Sequence, residues 1–419
     1  VGRVPYIFYT ANDLFVLTAT SSTWMYFFTS PVPPDPTVDN GGLTWKLVDP
    51  MGAPQVYRSS SAYSFIDPVA VQSGSVINVF YLLKYTTFKT YTLCHVQFDM
   101  TTKTWSAPDE TGPSWAYDSS SDYEIPTLTS VGAISSTDFV VGINFFNGTT
   151  LGGDYERSLY MVRKTAGVWG SPTQVSSTGL ASTKTLVVHQ SSAIHVEAGS
   201  DLVHFYWFQN GGNLHAGTYD SSEILRSRSY NTATNTFNAI QDVVTYDNVA
   251  AVTGGTVLGP NICSAGVKKS GHVYIAFNPP GMSGSVAPTY STICGDPTQT
   301  SPAYTKTDLT ALSYTYNTTP RLVLNSDGDL YCIGSYWGRT SGGGYTAASP
   351  RIVEYKNSGT GTWDAEATVY ELATGTGSYP PASENIAKPI AEQPYGYNDY
   401  YAADLTHWVT RVRGQNASL

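Results

Sequence analysis

The sequence has few charged residues, no long apolar run and few cysteines, and each of these shortages excludes a class of protein. Only 13% of the 419 residues are charged, and 32 Asp and Glu against 22 Lys and Arg give a formal net charge of −10. This balance argues against nucleic acid as a partner. No apolar run reaches the roughly 18 residues of a membrane-spanning helix, and no basic-then-apolar leader is present, so we expect no membrane insertion.

The four cysteines are Cys94, Cys263, Cys294 and Cys332, and none of them forms a Cys-X-X-Cys pair. This spacing argues against a zinc or redox site. Cys263 and Cys294 fall in the same repeat, where a disulfide and two separate thiols are both open alternatives. The other two are expected to be small buried hydrophobic residues. Ser-His-Asp and Gly-rich phosphate-binding motifs are absent as well.

The chain is rich in β-forming and turn-forming residues, with 31 Tyr, 9 Trp and 38 Gly. The stretch Val188–Tyr219 shows how they are arranged. An alternating run leads to the turn Ala198–Asp201, a second run covers Leu202–Phe208, and the loop Gln209–Gly212 leads to a third run. The pattern predicts strand, tight turn, strand, loop and strand.

This turn-plus-strand pattern recurs along the whole chain. The second strands of the repeats begin at Asp13, Ser75, Asp138, Asp201, His272, Asp329 and Asp399. The average step is about 64 residues, which suits a four-stranded propeller blade.

A second marker has the same period, because outer hairpins close on an aromatic residue. These aromatic residues are Trp45, Trp105, Trp169, Phe237 and Trp363. The fifth repeat lacks one, and its Pro/Gly/Ser/Thr-rich stretch 278–307 is interpreted as a long loop. Such sheets bury both faces only by packing radially, which predicts an all-β, seven-bladed β-propeller of four-stranded antiparallel blades. A six-bladed ring is the alternative. We expect a single domain over residues 1–419, because no linker separates the repeats.

Two short motifs resemble those of sialidase-like propellers. Val38–Trp45 (VDNGGLTW) resembles the Asp box Ser-X-Asp-X-Gly-X-Thr-Trp, with Val38 and Asn40 replacing Ser and Asp. Arg3–Pro5 resembles the Arg-Ile-Pro element that opens the first sialidase blade. The Asp box is a folding motif, so the resemblance implies a fold and not an activity.

In propellers, ligands bind on the face where inner strands begin and second strands end, here called the upper face. The loops leading into inner strands would place there Arg3, Tyr123, Glu124, His189, Asn261, Arg321 and Lys388. The loops between second and third strands would add Lys84, Tyr85, Glu156, Arg157, Gln209, Asn210, Tyr336, Trp337, Arg339 and His407. The basic residues favour an anionic group. Tyr206, Tyr336 and Trp337 are candidates to stack on sugar rings, so the predicted ligand is a carboxylate-bearing glycan.

The histidines divide into two groups. His195, His204 and His215 fall within strands that pack on both faces, so we expect hydrogen-bonded core residues. His189 precedes its strand at the channel-facing edge and is the candidate for function.

Sialidase-like hydrolysis is one enzymatic interpretation, and the sequence disfavours it. That family uses three arginines, an acid/base Asp and a Tyr nucleophile assisted by Glu. Arg3 fits one arginine, but Thr20–Thr23 offers no carboxylate where sialidases carry the Asp, and no Tyr–Glu pair is evident.

β-Elimination from a uronate is the favoured alternative. Imidazole or phenolate would remove the C5 proton while Arg neutralises the carboxylate, with His189, Tyr206 and Arg321 as the catalytic candidates. His189 resembles the histidine that opens an inner strand in seven-bladed polysaccharide lyases such as ulvan lyases. Their second histidine is replaced here by Gln209 or Asn210.

Asn325–Asp329 resembles the start of a calcium loop but lacks the distal Glu, and a turn between two strands is the favoured interpretation. We therefore expect no cofactor, with structural calcium as the alternative. Sequons at Asn147, Asn317 and Asn416 agree with secretion. The predicted function is that of a secreted monomer acting on an acidic polysaccharide. A non-catalytic lectin or adhesin, and a structural spacer, are the alternatives.

Overall fold

The computed structural model describes residues 3–10, 12–21, 24–31, 46–48, 63–116, 126–146, 157–176, 188–210, 223–246, 261–263, 265–280, 290–309, 315–317, 320–324, 328–338 and 351–371. Throughout these ranges the regular elements are β-strands. The described part of the chain contains no helix long and apolar enough to cross a membrane.

The strands form six sheets in chain order. The first sheet contains β1 (Arg3–Tyr9), β2 (Asp13–Ser21), β3 (Trp24–Pro31) and β4 (Lys46–Val48). The second contains β5 (Tyr63–Ser73), β6 (Val76–Tyr85), β7 (Thr90–Asp99), β8 (Thr104–Trp105) and β9 (Ser114–Ala116). The third contains β10 (Thr127–Ala133), β11 (Asp138–Phe146), β12 (Arg157–Thr165), β13 (Val168–Trp169) and β14 (Thr173–Gln174).

The remaining three sheets follow the same plan. The fourth contains β15 (Val188–Val196), β16 (Leu202–Asn210), β17 (Glu223–Asn231), β18 (Thr236–Phe237) and β19 (Gln241–Tyr246). The fifth contains β20 (Asn261–Ile262), β21 (Val267–Lys269), β22 (His272–Asn278), β23 (Ser291–Gly295) and β24 (Thr305–Asp308). The sixth contains β25 (Thr315–Asn317), β26 (Arg321–Leu324), β27 (Leu330–Gly338), β28 (Arg351–Gly359), β29 (Thr362–Trp363) and β30 (Ala367–Glu371).

Each sheet has four antiparallel strand positions, joined by consecutive hairpins. In the second, third, fourth and sixth sheets the outermost position is shared by two short strands, such as β8 and β9, which both pair with β7. In the fifth and sixth sheets the innermost position is also divided, between β20 and β21 and between β25 and β26. The all-β class and the four-stranded antiparallel sheets are therefore confirmed.

Consecutive sheets pack face to face through separate apolar clusters. Phe15 of the first sheet and Phe98 of the second lie in one cluster, and Phe80 of the second and Phe139 of the third lie in the next. Further clusters join the third sheet to the fourth, and the fourth to the fifth and sixth. The predicted seventh repeat, around Lys388, Tyr400 and Trp408, lies outside the described residues.

The aromatic residues that close the outer hairpins pack toward the preceding sheet. Trp169 contacts Phe80 edge-on, with ring centroids 6.1 Å apart, and Trp363 contacts Tyr274 in the same way at 6.0 Å. Trp105 and Phe237 also occupy outer hairpins, at β8 and β18. Trp45 and the rest of the Asp-box stretch Val38–Trp45 lie outside the described residues.

One prediction needs correction, and one pair of open alternatives is decided. The stretch 278–307 is not one long loop, because it contains all of β23 and most of β24, which complete the fifth sheet. The buried run Ser291–Gly295 was hidden by its Pro/Gly/Ser/Thr-rich surroundings. All four cysteines lie in the described residues as buried thiols, and none is joined in a disulfide, so Cys263 and Cys294 are not paired.

Candidate functional site at the upper face

The inner strand of every described sheet departs from regular pairing at a similar level. The register shifts between Arg3 and Tyr6 in β1, Ile66 and Val69 in β5, Leu128 and Ser130 in β10, and Val188 and Ser192 in β15. In the fifth and sixth sheets the inner strand is interrupted, between β20 and β21 and between β25 and β26, and both interruptions fall at the corresponding place. In each case the inner strand holds more residues than the strand facing it. Such bulges re-aim side chains and are common beside active sites.

His189 lies inside the widest of the four bulges. Residues 189–191 oppose the single residue Phe208, between the pairs Val188 with Gln209 and Ser192 with Trp207. His189 is thus the second residue of β15 and does not precede the strand as the sequence predicted. The backbone places it near the upper end of an innermost strand. Its side chain lies outside the described atoms.

Gln209 is enclosed by its own sheet. Its side chain is 0% exposed, and Oε1 accepts hydrogen bonds from Trp207 Nε1 at 3.1 Å and from Arg226 Nη1 at 3.0 Å. Arg226 also donates from Nε to Asp242 at 2.8 Å. A buried amide held in this way supports the fourth sheet, and the role of Gln209 in substrate binding stays a prediction. Its neighbour Asn210 ends β16 opposite Glu223.

Tyr206 is also unsuited to its predicted catalytic role. The side chain is fully buried in the middle of β16, where its hydroxyl accepts a hydrogen bond from Tyr304 at 3.2 Å. Burial, reinforced by the neighbouring Tyr304, raises the pKa of Tyr206 well above 10. A phenol without solvent contact and with a raised pKa does not serve as a general base for a polymer substrate.

Arg321 lies lower in its sheet than predicted. It begins β26 and pairs with Ile333, whereas the upper end of the sixth sheet is formed by β25, which pairs with the end of β27. The sequence did not reveal β25, so Arg321 was placed one strand segment too high. Tyr336 and Trp337 do lie at the upper end, opposite Asn317 and Tyr316.

Other predicted residues also lie at strand ends on the upper face. Arg3 pairs with Ala19, Asn261 with Asn278, and Arg157 begins β12 opposite Phe146. Lys84 and Tyr85 end β6. The predicted site residues Tyr123, Glu124, Glu156, Arg339, Lys388 and His407 lie outside the described residues, as does His215.

Of the three histidines predicted to be core residues, His195 and His204 belong to the described residues, and both are buried. His195 Nε2 lies 3.1 Å from Glu197, which also accepts a hydrogen bond from Lys268. Burial opposes ionisation of Glu197, but these two partners outweigh it and lower the pKa of the carboxyl group. His204 donates from Nε2 to the carbonyl of Pro297 at 2.7 Å, and burial lowers its pKa to about 4.

Sequence reasoning missed the bulges, although proline signals two of them and also the interruption of the inner strand in the sixth sheet. Pro5, Pro68 and Pro320 each stand immediately before the residue at which pairing resumes. Proline has no N–H to donate and is confined to edges and bulges of sheets. Asp67, which precedes Pro68, is therefore a further upper-face candidate, at about the same level in β5 as His189 in β15. Across the described residues, no group of three or more His, Cys, Asp or Glu side chains could hold a metal ion.

Comparison with protein-family models finds no matching family, and comparison with curated protein sequences finds no significant match. Among solved structures, the chain is similar to an ulvan lyase of a polysaccharide lyase family, with a TM-score of 0.50 and 8% sequence identity over 88% of this chain and 83% of the lyase. This likeness confirms, for the fold alone, the predicted resemblance to the lyase propellers.

Two further neighbours give lower scores. A Penicillium chrysogenum α-L-arabinanase complexed with arabinobiose has a TM-score of 0.45 and 11% identity, covering 80% of this chain and 89% of the enzyme. The phage phi92 endosialidase has a TM-score of 0.36 and 11% identity, covering 84% of this chain and 54% of the endosialidase. These scores are too low to add to the fold assignment.

Proposed function

We propose that this protein is a carbohydrate-active propeller that engages an acidic, uronate-containing polysaccharide at its upper face and cleaves it by β-elimination. The observation that carries the proposal is the position of His189 in the bulge of β15, near the upper end of an innermost strand. The structural neighbour named as a polysaccharide lyase supports the choice of reaction by analogy of fold.

The chemistry needs one base, one group that neutralises the carboxylate and one proton for the leaving group. The imidazole of His189 takes the proton from C5 of the uronate, the bond from C4 to the leaving oxygen breaks, and a double bond forms between C4 and C5. The leaving oxygen takes up a proton from water, and the imidazolium of His189 returns its proton to the solvent. Arg3 begins the inner strand β1 at the upper face, and we assign it to offset the charge that builds on the carboxylate.

The same proposal includes the remaining properties expected from the sequence. We propose a secreted, monomeric propeller of seven blades that requires no cofactor for this reaction. Structural calcium is the alternative for the turn Asn325–Asp329, where only Gly328 and Asp329 belong to the described residues.

Binding without cleavage is the second candidate, and one observation favours it. The position where ulvan lyases carry a second histidine holds Gln209 or Asn210 here, and the amide of Gln209 is bonded to Trp207 and Arg226 inside the sheet. A site that lacks a second histidine at the upper end of β16 would suit a lectin or adhesin for the same acidic glycans.

Incubation with a panel of uronate polysaccharides tests both candidates. Turnover appears as ultraviolet absorbance of the unsaturated uronate product, and His189→Ala should reduce it by at least about 100-fold, the usual contribution of a general base. His272→Ala is the matched control, because His272 begins β22 at the opposite end of its sheet. Glycan binding without turnover would replace the lyase by the lectin. Absence of both would leave only a structural spacer.

A further inference from the structure

A basic and aromatic strip crosses the upper end of the second sheet. Lys84 of β6 pairs with Tyr91 of β7, and Tyr91 pairs with Trp115 of β9. Directly paired residues in antiparallel strands share one face of the sheet. The Lys84 ammonium lies 5.7 Å from the centre of the Tyr91 ring, which agrees with this arrangement. Lys84 and Trp115 are both partly exposed, whereas Tyr91 is buried beneath them.

The third sheet continues this strip. Phe145, near the end of β11, lies with its ring centroid 6.2 Å from that of Trp115, and Tyr160 of β12 lies 6.1 Å from Phe145. All three rings are partly exposed. We call Trp115, Phe145 and Tyr160 the aromatic row. It joins two sheets at their upper ends and lies on the second, third and outermost strand positions, outside the inner strands that carry the bulges.

Phe88 adds a second exposed apolar ring at the same end of the second sheet, at the tip of the hairpin between β6 and β7 and beside Tyr85, which packs toward the first sheet. It lies between β6 and β7 with 72% of its surface exposed, and its ring centroid is 6.4 Å from that of Tyr85. The next residue, Lys89, is exposed and has a positive φ of 49°. A single exposed hydrophobic residue needs no explanation, but one grouped with lysines and further aromatic rings is typical of a binding surface.

We propose that Phe88 and the aromatic row form a distal subsite for an acidic polysaccharide chain that leaves the inner-strand site and runs outward over the second and third sheets. This inference rests on the proposed function. Aromatic faces supply apolar area for sugar rings, and Lys84 and Lys89 supply positive charge for carboxylates on a protein of net charge −10. The nearby Glu110 accepts a hydrogen bond from the Tyr85 hydroxyl at 3.2 Å.

A distal subsite makes affinity depend on chain length. Once the inner-strand site holds one part of a polymer, the distal subsite meets the next part at a high effective concentration. A short oligosaccharide reaches only one of the two places. The distal subsite therefore contributes to the binding of polymers and not to the binding of short fragments.

The test measures the dissociation constants of a uronate polymer and of a short oligosaccharide with the same repeat, by calorimetry on the full chain. Phe88→Ala should weaken polymer binding about threefold to tenfold, the range expected for loss of one aromatic contact. Lys84→Met should also weaken polymer binding, because it removes the positive charge while keeping the apolar stem of the side chain. Affinity for the short oligosaccharide should stay unchanged in both variants.

Val168→Ala is the matched control. Val168 is 71% exposed at the hairpin between β12 and β13, at the end of the third sheet away from the upper face. Unchanged polymer affinity in Phe88→Ala and Lys84→Met, with normal binding by the unmodified protein, would overturn the distal subsite alone. If the unmodified protein binds neither the polymer nor the oligosaccharide, the proposed function fails and the distal subsite fails with it.

Discussion

Lys164 of β12 donates a hydrogen bond across the junction of two sheets to Asp109, with Nζ and Oδ2 2.7 Å apart. A cationic side chain crosses each of the five described junctions between consecutive sheets. The other four pairs are Lys103 with Asp13, Arg163 with the Thr232 carbonyl, Lys268 with Glu197, and Lys269 with the Asn357 carbonyl. These contacts lie away from the upper face, so stability and ligand binding can be altered separately.

Replacing Lys164 should strongly destabilise the protein. Its side chain is only 5% exposed and also contacts His95 Nδ1 at 2.9 Å, while Asp109 also accepts hydrogen bonds from Trp169 and from the amide and hydroxyl of Thr111. Lys164→Met leaves the Asp109 carboxylate without its cation, which should cost about 2–4 kcal/mol of unfolding free energy in chemical denaturation. Lys306→Met, which breaks the more exposed pair with Asp308, should cost less than about 1 kcal/mol. Equal losses in the two variants would contradict this account.

Stability should fall as the pH falls below neutrality, because two histidines are held neutral in the folded protein. Burial, with Lys164 as second cause, lowers the pKa of His95 from 6.5 to about 3, and burial lowers that of His204 to about 4. The unfolded chain takes up protons at these residues below pH 6.5 and the folded protein does not. Each histidine therefore stabilises the fold fully above pH 6.5, and this contribution is lost progressively as the pH falls toward its folded pKa.

The slope of unfolding free energy against pH measures this effect. Each histidine should contribute up to about 1.4 kcal/mol per pH unit. His204→Gln keeps an N–H for the Pro297 carbonyl and should reduce the slope by about 1 kcal/mol per pH unit between about pH 6 and about pH 5. An unaltered slope would show that His204 is protonated in the folded protein.

Gly334 should not tolerate a side chain. It is a buried residue of β27, and a Cβ added there would lie 2.5 Å from the hydroxyl oxygen of the buried Tyr290, which immediately precedes β23 of the fifth sheet. Gly334→Ala should therefore destabilise the protein by about 1–3 kcal/mol in thermal or chemical unfolding. Gly74→Asn provides the comparison, because Gly74 has a φ of +61° with open space around it, and Asn tolerates this conformation. A tolerated alanine at position 334 would mean that the two sheets pack less closely.

All four thiols should resist modification until the protein unfolds. Burial raises the pKa of Cys294 and of Cys332, which lowers the fraction of reactive thiolate. Titration with a thiol reagent, without reductant, should detect none of them in the folded protein and all four in denaturant. For the same reason, a reductant should not change the stability of the protein. Detection of only two thiols in denaturant would instead indicate a disulfide.

Local patterns predicted much of the fold. The second strands begin within one residue of the predicted turns, as at Asp13, Asp138 and His272, because turn chemistry and strand alternation are encoded by adjacent residues. The aromatic residues that close the outer hairpins were recognisable for the same reason. The bulges were not, because a register shift depends on the strand that pairs with the segment and not on the segment itself.

The candidate site was harder to predict than the fold. Gln209 resembled a ligand-binding residue because it lies next to the end of a strand at the upper face, but Arg226 on the next strand encloses it. Tyr206 is buried because Tyr304, almost a hundred residues later in the chain, packs against it with ring centroids 5.9 Å apart. Such contacts between distant parts of the chain leave no local signal.

The divided outermost strands also affect how copies of the protein meet one another. A long strand with unpaired N–H and C=O groups at the edge of a sheet is a template for pairing with another chain. In the six described sheets the outermost segments are two to six residues long, from β8 and β13 with two residues each to β19 with six. A second molecule therefore finds too short a row of unpaired groups to extend a sheet, and the described rim resists edge-to-edge aggregation despite its high content of β-forming residues.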